Sequence, residues 1–399
     1  MMWAGLLYSR ALLTVSLAIF LLSSLLAFPL RSHAAYVKAN PFLWLMPMLF
    51  IVAVPGGLWS DDTVQWMRIL KTKLPLLLVP LLSLPLSRFT ERTETALFRW
   101  MGATLLVSML GSTLHYLFNL QDINKTYLEA RVLPVSMDSD HVRFGWMLAV
   151  AFSWCLHLST VPGRTGNPKV RRGPAALAAG IFVFAHLLSS RTGLLGVYMA
   201  LAIHAIWYRH RVRARTVALI FLLAPVAAWL LLPTFRNRMK FVAWDFQNYS
   251  RGTHTEGLLD ATRLVSLKAG WSIFERHPVA GCGFGDLRRE SVDWYKANEP
   301  ALKSYEQLLP SNEILLYGAA AGIPASLAFC VASFGPFFFR RTGKNPAWIG
   351  FHAISAAGFQ YDIGLETQYG VFIYAFLGCW MYAYLMKDGK TPVPQDLPS

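Results

Sequence analysis

The chain is predicted to be an all-α polytopic membrane protein with about eleven or twelve transmembrane helices and one helical domain outside the bilayer. Three observations lead there. Of its 399 residues, 55% are hydrophobic and only 15% charged, where a soluble globular chain carries ~25% charged residues. Apolar windows long enough to cross ~30 Å of hydrocarbon recur along the chain. Lys and Arg gather in short loops between those windows, the pattern that orients membrane proteins. A water-soluble enzyme is excluded, because its surface needs more charge than this one has. Disordered, collagen-like and disulfide-stapled chains are excluded too, by the apolar content and the four cysteines.

Spans are expected near 11–29, 41–59, 74–87, 97–119, 142–160, 174–189, 192–208, 216–233, 312–334, 346–361 and 367–386. The 74–87 window is short and holds three prolines, which points to a tilted, broken or re-entrant segment. Four basic clusters set the orientation: Arg164/Lys169/Arg171/Arg172, Arg209/Arg211/Arg213/Arg215, Arg340/Arg341/Lys344 and Lys387/Lys390. Alternation of spans puts all four on one side, the cytoplasm. The same parity sends Ser189-Ser190-Arg191, the 234–311 segment and the 361–367 loop to the opposite face. Arg68, Lys71 and Lys73 read as a loop on that outer side, against the rule, so one further crossing is tenable in the first hundred residues. The organisation expected is therefore a 1–233 transmembrane bundle, a 234–311 outer domain, 312–386 C-terminal spans and a 387–399 cytoplasmic tail.

Topology absorbs much of the net charge of +15, and nucleic acid is not an expected partner. The cysteines (Cys155, Cys282, Cys330, Cys379) show neither a paired motif nor metal-ligand spacing. Asp138-Ser139-Asp140 is an outer pair of acids that some glycosyltransferases use for a divalent cation, but such pairs also arise often by chance. The reading made here is that no metal and no cofactor is needed.

Charge in the membrane domain is one-sided. Between His141 and Trp244 there is no Asp or Glu, although thirteen Lys and Arg occur. Ion-coupled transporters bury acids or paired charges within their spans, so a transporter is disfavoured and chemistry at the rim is favoured. Arg191, in SSRTGLLG, lies on the side where positive charge is not expected. It opens a helix whose first amides add positive potential, which suits a phosphate. The alternative is an interfacial arginine reaching for lipid headgroups. Arg263 leads a second helix, 262–276, read as amphipathic with Leu264, Leu267, Trp271 and Phe274 on one face. Arg143, in DSDHVRFGW, is a third outer cation. HPVAGCGFGD follows at 277–286, with His277 and with Gly281, Gly283 and Gly285 for a tight turn and close backbone approach. LPSNEILLYGAAAGIP then enters a span, with Ser311 placed as N-cap and Asn312 and Glu313 in the first turn. Glu313 is an acid at the rim, where a base acts on a hydroxyl. Asp362 and Glu366 border the last outer loop. The histidines His115, His157, His186, His204 and His352 fall in or beside spans and read as packing residues.

Together these motifs resemble the O-antigen ligase and polymerase superfamily, over roughly residues 180–335. Arg191 with Leu195 is similar to the ligases' Arg-x3-Leu signature, and Arg263 to a second arginine that faces a lipid pyrophosphate. Ser311 with Gly322 has the spacing of their His-x10-Gly signature, with serine in place of histidine. The resemblance implies a GT-C-like fold in a bacterial inner membrane, with the active site facing the periplasm. It also implies the reaction. A glycan moves from undecaprenyl pyrophosphate to a sugar of lipid A–core in lipopolysaccharide biosynthesis, and arginines steady the departing pyrophosphate without metal. Arg191, Arg263 and Arg143 would bind the pyrophosphate, with Ser311, Glu313 and Arg191 as the catalytic set. His277, Asn312, Gly283 and Gly322 are weaker binding candidates. Serine near its ordinary state accepts no proton at neutral pH. Either Glu313 substitutes, with His277 or His254 behind it, or the donor or acceptor differs, or the good leaving group makes a base unnecessary. The alternatives are a polymerase of the same superfamily, a related protein O-glycosyltransferase, or, less favoured, a lipid-linked sugar flippase.

Orientation is directly testable. A membrane-impermeant thiol reagent should reach Arg191→Cys from the periplasmic side, and labelling from the cytosol alone would overturn the assignment.

Overall fold

The computed structural model describes residues 1–129, 131–160, 168–210, 213–251, 260–339 and 345–388. Arg164, Arg211, His254, Arg340, Arg341, Lys344 and Lys390 lie outside the described residues. Every regular element among the described residues is helical, as expected for an all-α polytopic membrane protein. Helices are named below by their first residue.

Seven stretches among the described residues are long and apolar enough to cross a membrane: Arg10–Ala27, Pro41–Leu58, Glu91–Phe118, His141–Thr160, Ala214–Leu231, Glu313–Phe338 and Gln368–Lys387. Arg172–Leu188 and Arg191–Trp207 are apolar but shorter. These nine coincide with nine of the eleven expected windows. The other two differ for physical reasons. The 74–87 window falls on the end of the Thr63–Leu81 helix, which carries Arg68, Lys71 and Lys73 in its first half and Pro75 and Pro80 in its second. The Pro346–Tyr361 helix has only 16 residues. So Arg68, Lys71 and Lys73 sit on a helix and not in an outer loop.

Two close approaches organise the bundle. The His141 and Arg191 helices meet at glycines: a Cβ added at Gly145 would stand 3.1 Å from Gly193 Cα and 2.9 Å from Ser190 Oγ. Gly196 continues the contact against Ala149, where an added Cβ would come within 2.6 Å. Small residues at these positions let the backbones approach, as helix pairs in membranes often do. Farther along, Trp146, Phe359, Phe329 and Tyr374 pack edge to face between the His141 and Pro346 helices and their neighbours.

The Glu313–Phe334 helix is not one straight rod. Ala321 and Gly322 leave helical geometry, with Gly322 at φ +77°. Ser326 Oγ then donates to Ile314 O at 2.9 Å, although an unbroken helix would hold those residues about 18 Å apart. The chain doubles back as a helical hairpin, and Pro324 opens its second arm. The glycine loop before it supplies partners for the opened backbone. Cys282 N donates to Ala319 O and Gly283 N to Ala320 O, both at 2.9 Å, and Ile323 N donates to Pro278 O at 2.8 Å. Non-helical backbone at membrane depth needs such partners.

The 234–311 segment is helical: Pro233–Ser250 enters it, and Asp260–Arg276 and Leu287–Asn298 follow. Val265, Ala269, Tyr295 and Leu302 form a small core of their own, while Ile273, Phe284 and Leu287 join the main one. The buried face of the Asp260 helix is not the expected one. Thr262, Val265, Ser266, Ala269 and Ile273 point inward, whereas Leu264 and Trp271 are exposed. The neighbour is close at this face: a Cβ at Gly270 would lie 2.7 Å from the Pro310 ring.

Gly322 is tightly constrained, since an added Cβ would lie 2.0 Å from Val279 O in a conformation L-residues avoid. Gly322→Ala should therefore destabilise the detergent-solubilised protein by about 2 kcal/mol or more. Gly111→Ala, with nothing within 4 Å, should leave the thermal midpoint unchanged or slightly raised.

Candidate functional site

The expected site residues divide into two groups. Arg143, Arg263 and Glu313 meet the 361–366 loop, with Ser311 and Asn312 beside Glu313, and Arg191 opens the helix packed against the start of the His141 helix. His277, Gly283 and Gly322 lie at the far end of the Asp260 helix, and His277 is fourteen residues on from Arg263, about 21 Å along the axis. His277 is exposed there. The conformations of Gly281 (φ +69°) and Gly283 (φ +96°) serve packing against the hairpin and against Ser60. Asp286 finishes that loop by accepting from Asp61 N at 2.8 Å and Asp62 N at 3.1 Å. Burial pushes the Cys282 thiol up to about 12, and all four cysteines are free.

Asp362 is the centre of the first group. Arg143 Nη2 lies 3.0 Å from Asp362 Oδ2, and Arg263 Nη1 lies 3.7 Å from Oδ1. Each arginine also donates to loop backbone, Arg143 to Ile363 O at 2.7 Å and Arg263 to Tyr361 O. Two guanidinium groups from separate helices thus share one carboxylate. Their placement follows from local structure. Asp140 Oδ1 accepts from Arg143 N at 3.1 Å and caps the His141 helix, so Arg143 falls in the first turn. Arg263 falls in the first turn of the Asp260 helix.

Arg191 opens the neighbouring helix. Ser189, at φ +53°, turns the chain sharply after Leu188, and Tyr127 OH holds the preceding end by donating to Leu188 O at 2.9 Å. The Gly145–Gly193 contact then sets the starts of the His141 and Arg191 helices side by side. Two helix N-termini and their arginines point their partial and formal positive charge the same way. Arg191 is half-buried.

Ser311 does not cap the hairpin. Asn312 does, its side chain accepting from Leu315 N at 3.0 Å, and its amide donates to Gln360 Oε1 at 2.9 Å. Ser311 is instead engaged with Ser266. Ser266 Oγ donates to Ser311 Oγ and accepts from Ser311 N, both at 3.0 Å. Glu313 is fully buried, and its Oε1 accepts from Leu365 N.

Several residues here were not identified from sequence. Lys73 is fully buried; it pairs with Glu366 and donates to Tyr317 OH at 3.0 Å. Its ammonium also lies 4.6 Å from the Tyr317 ring centre. Only the neighbourhood of Leu365, whose N–H meets Glu313 and whose carbonyl faces Lys73 at 3.5 Å, brings these charges together. Arg238, on the Pro233–Ser250 helix, is 7% exposed and lies over Phe241 at 5.4 Å. Half-buried His141 has Arg238, Asp140, Arg263 and Asp362 as its charged neighbours. The one signal in the sequence was position: His141 precedes Arg143 by two residues at a helix start.

The Asp138-Ser139-Asp140 acids are committed to cations of the protein. Asp138 pairs with Arg10 at 2.6 Å and accepts from Tyr369 OH at 3.0 Å. Asp140 faces Arg143 at 3.6 Å. Met137, Asp138 and Ser139 all adopt positive φ, a turn that aims the two carboxylates at different helices. Among the described residues, no group of three or more His, Cys, Asp or Glu is placed to hold a metal.

Beside the cluster runs an apolar groove of about 720 Å³, lined by Leu267, Trp271, Phe274, Ile314, Leu315 and Gln360. Exposed Trp271 of the Asp260 helix thereby borders a groove that reaches Asn312.

Fold and rim together define a polytopic helical membrane protein with a cationic site where helix N-termini meet. The sequence comparison adds to this: residues 175–330 match the family model described as O-Antigen ligase. Members of that family are membrane glycosyltransferase-like enzymes, ligases or polymerases, and the family implies lipid-linked glycan substrates. No curated protein matches the chain. The matched stretch contains Arg191, Arg263, Ser311, Glu313 and Gly322; Lys73, Arg143 and Asp362 lie outside it.

Lys73 gives a sharp test of the cluster. Lys73→Met leaves Glu366 and Glu313 without their cation and should cost about 3–5 kcal/mol, the usual result of breaking a buried pair. Lys73→Met combined with Glu366→Gln should recover most of that loss in thermal unfolding.

Proposed function

We propose that this protein is an O-antigen ligase, transferring a glycan from undecaprenyl pyrophosphate to a lipid A–core sugar at the periplasmic face of the bacterial inner membrane. The observation that carries the reading is the convergence of Arg143 and Arg263 on Asp362 beside the start of the Arg191 helix. Asp362 lies 3.0 Å from the Arg143 guanidinium and 3.7 Å from that of Arg263, and guanidinium groups also bind phosphate oxygens. A pyrophosphate at this rim would meet three arginines and two helix N-termini, and its isoprenoid chain would lie in the groove along Leu267 and Trp271.

In the reaction, the acceptor hydroxyl oxygen bonds to the anomeric carbon as the bond from that carbon to the pyrophosphate oxygen breaks. The electron pair leaves with undecaprenyl pyrophosphate, and the hydroxyl proton is released. The problem is the charge gathering on the leaving group, and fixed cations in a partly dry site stabilise it without reorganising. Arg191 carries this task with Arg263 and Arg143. The surroundings of Ser311 and Glu313 suit positioning more than proton transfer. The Ser311 hydroxyl is taken by Ser266, and Glu313 is sealed beneath the loop it anchors. No base is assigned: half-buried His141 lies among Arg238 and Arg263, whose charge opposes its protonation, and the good leaving group eases the step.

Reconstitution with lipid-linked glycan and purified lipid A–core tests the proposal. Arg191→Ala should lower transfer by about 100-fold or more, the scale seen when a charge-stabilising donor is removed, while expression and the thermal midpoint hold. Near-normal transfer would remove the pyrophosphate role from Arg191. Ser311→Ala should be mild, and transfer should survive excess EDTA. A deletion strain separates ligase from polymerase: bare core with accumulated lipid-linked polymer supports the ligase, whereas cores capped by single repeats support the polymerase.

A further inference from the structure

His141 has no part in the chemistry above, yet it stands among the groups that carry it. It is the first residue of its helix and half-buried. Arg263 and Asp362, which anchor the arginine cluster, are among its charged neighbours. The others are Arg238, on the Pro233–Ser250 helix, and Asp140, in the turn just before it. Arg143 follows in the same helical turn, and Arg191 opens the helix packed against that turn.

The ring of His141 is also unlike those of the other buried histidines. His186 is bonded at both nitrogens, to Phe182 O and Tyr198 OH at 2.8 Å. His33, His157, His204 and His352 each have a ring nitrogen sealed away from solvent without a partner. Among the described residues, the His141 ring makes no hydrogen bond, and its nitrogens are not sealed. An imidazole always keeps at least one N–H, so an open donor stands at the rim.

The same neighbours decide its charge. Partial burial and the guanidinium groups of Arg238 and Arg263 oppose a second proton on the ring, and the first-turn amides of the helix add to that opposition. The two carboxylates favour a proton, but both already face arginine. Asp140 lies 3.6 Å from Arg143, and Asp362 is shared by Arg143 and Arg263. A neutral imidazole in such a place is a poor proton acceptor and a good fixed donor. Its N–H is worth most where negative charge develops during the reaction.

We propose that His141 is a catalytic residue of glycan transfer, giving an N–H to an oxygen of the departing pyrophosphate and keeping its own proton throughout. The inference rests on the pyrophosphate reading of the arginine cluster. In the step, the acceptor oxygen bonds to the anomeric carbon, and the bond from that carbon to the pyrophosphate oxygen breaks with its electron pair on that oxygen. The acceptor's proton passes to water, and the histidine is unchanged.

Reconstituted transfer from lipid-linked glycan to lipid A–core tests this, with Arg191→Ala run in parallel. His141→Ala should lower kcat by about 100-fold, the scale of removing one donor to a developing charge, with little change in KM. His141→Asn and His141→Gln each place an amide N–H near one of the two imidazole nitrogens, and one of them should recover most of the loss. The thermal midpoint should hold in all three variants, because the ring bonds nothing in the fold. Between about pH 5 and 8, where a titrating histidine changes charge, the ratio of wild-type kcat to that of the recovering variant should stay constant. A ratio that rises with pH would make His141 a base, and one that rises with acidity a cation; either overturns the proposal. Near-normal transfer by His141→Ala, or a loss that neither amide recovers, overturns it too. The arms separate the two assignments: near-normal His141→Ala beside inactive Arg191→Ala removes His141 alone, whereas near-normal Arg191→Ala removes the pyrophosphate reading and the inference with it.

Discussion

The site depends on one short loop that ties together charges no single helix could hold. Residues 361–366 receive Arg143 and Arg263 at Asp362 and at two backbone carbonyls, and give an N–H to Glu313 and a carboxylate to Lys73. Taking an ammonium or a carboxylate out of water is expensive unless it is met by an opposite charge and by hydrogen bonds. Neither Lys73 nor Glu313 is viable where it sits until the loop closes over both. The loop in turn buries Leu365 and packs Ile363 against the main core, and the charges beneath it and the arginines above it add to its register. Structure and site are therefore coupled: what stabilises the loop also aims the cations.

Backbone proximity gives this arrangement its rigidity. Gly145 against Gly193 brings two helix starts together, and Gly281 and Gly322 let the outer loop hydrogen-bond into the opened hairpin. The Asp260 helix then lies parallel to the first arm of the hairpin, joined at Ser266 to Ser311 and at Gly270 to Pro310. That pairing delivers Arg263 to Asp362. A serine at position 311 suits this joint, since its hydroxyl both accepts from Ser266 and lies flat against it. The substitution thus has a structural partner at a place where the family resemblance implies histidine.

Some of this was legible before any coordinates. Arg191 and Arg263 stood out because topology gives no reason for cations on the outer side, and Arg143 because it follows an acid that can cap a helix. Other residues were misplaced. Lys73 looked like loop charge, because a lysine beside a proline-broken apolar run gives no hint that a glutamate nearly three hundred residues later will meet it. Glu313 looked like an acid at the water's edge, and is sealed under a loop whose path depends on tertiary contacts. The Asp260 helix showed its large apolar residues as the obvious inner face. It buries Thr262, Val265, Ser266, Ala269 and Ile273 instead, and leaves Leu264 and Trp271 exposed, with Trp271 on the apolar groove.

Composition and the recurrence of apolar windows were enough to establish a helical membrane protein, and the sidedness of lysine and arginine gave an expected orientation and outer rim. Those properties are local or statistical: each span must satisfy its own backbone in hydrocarbon, and each short loop carries its own charge. The hairpin at Gly322, the sharing of Asp362 by two arginines and the burial of Lys73 with Glu366 came only from tertiary structure. They join residues far apart in the chain, and a pair of charges has no energetic meaning until folding removes the water between them.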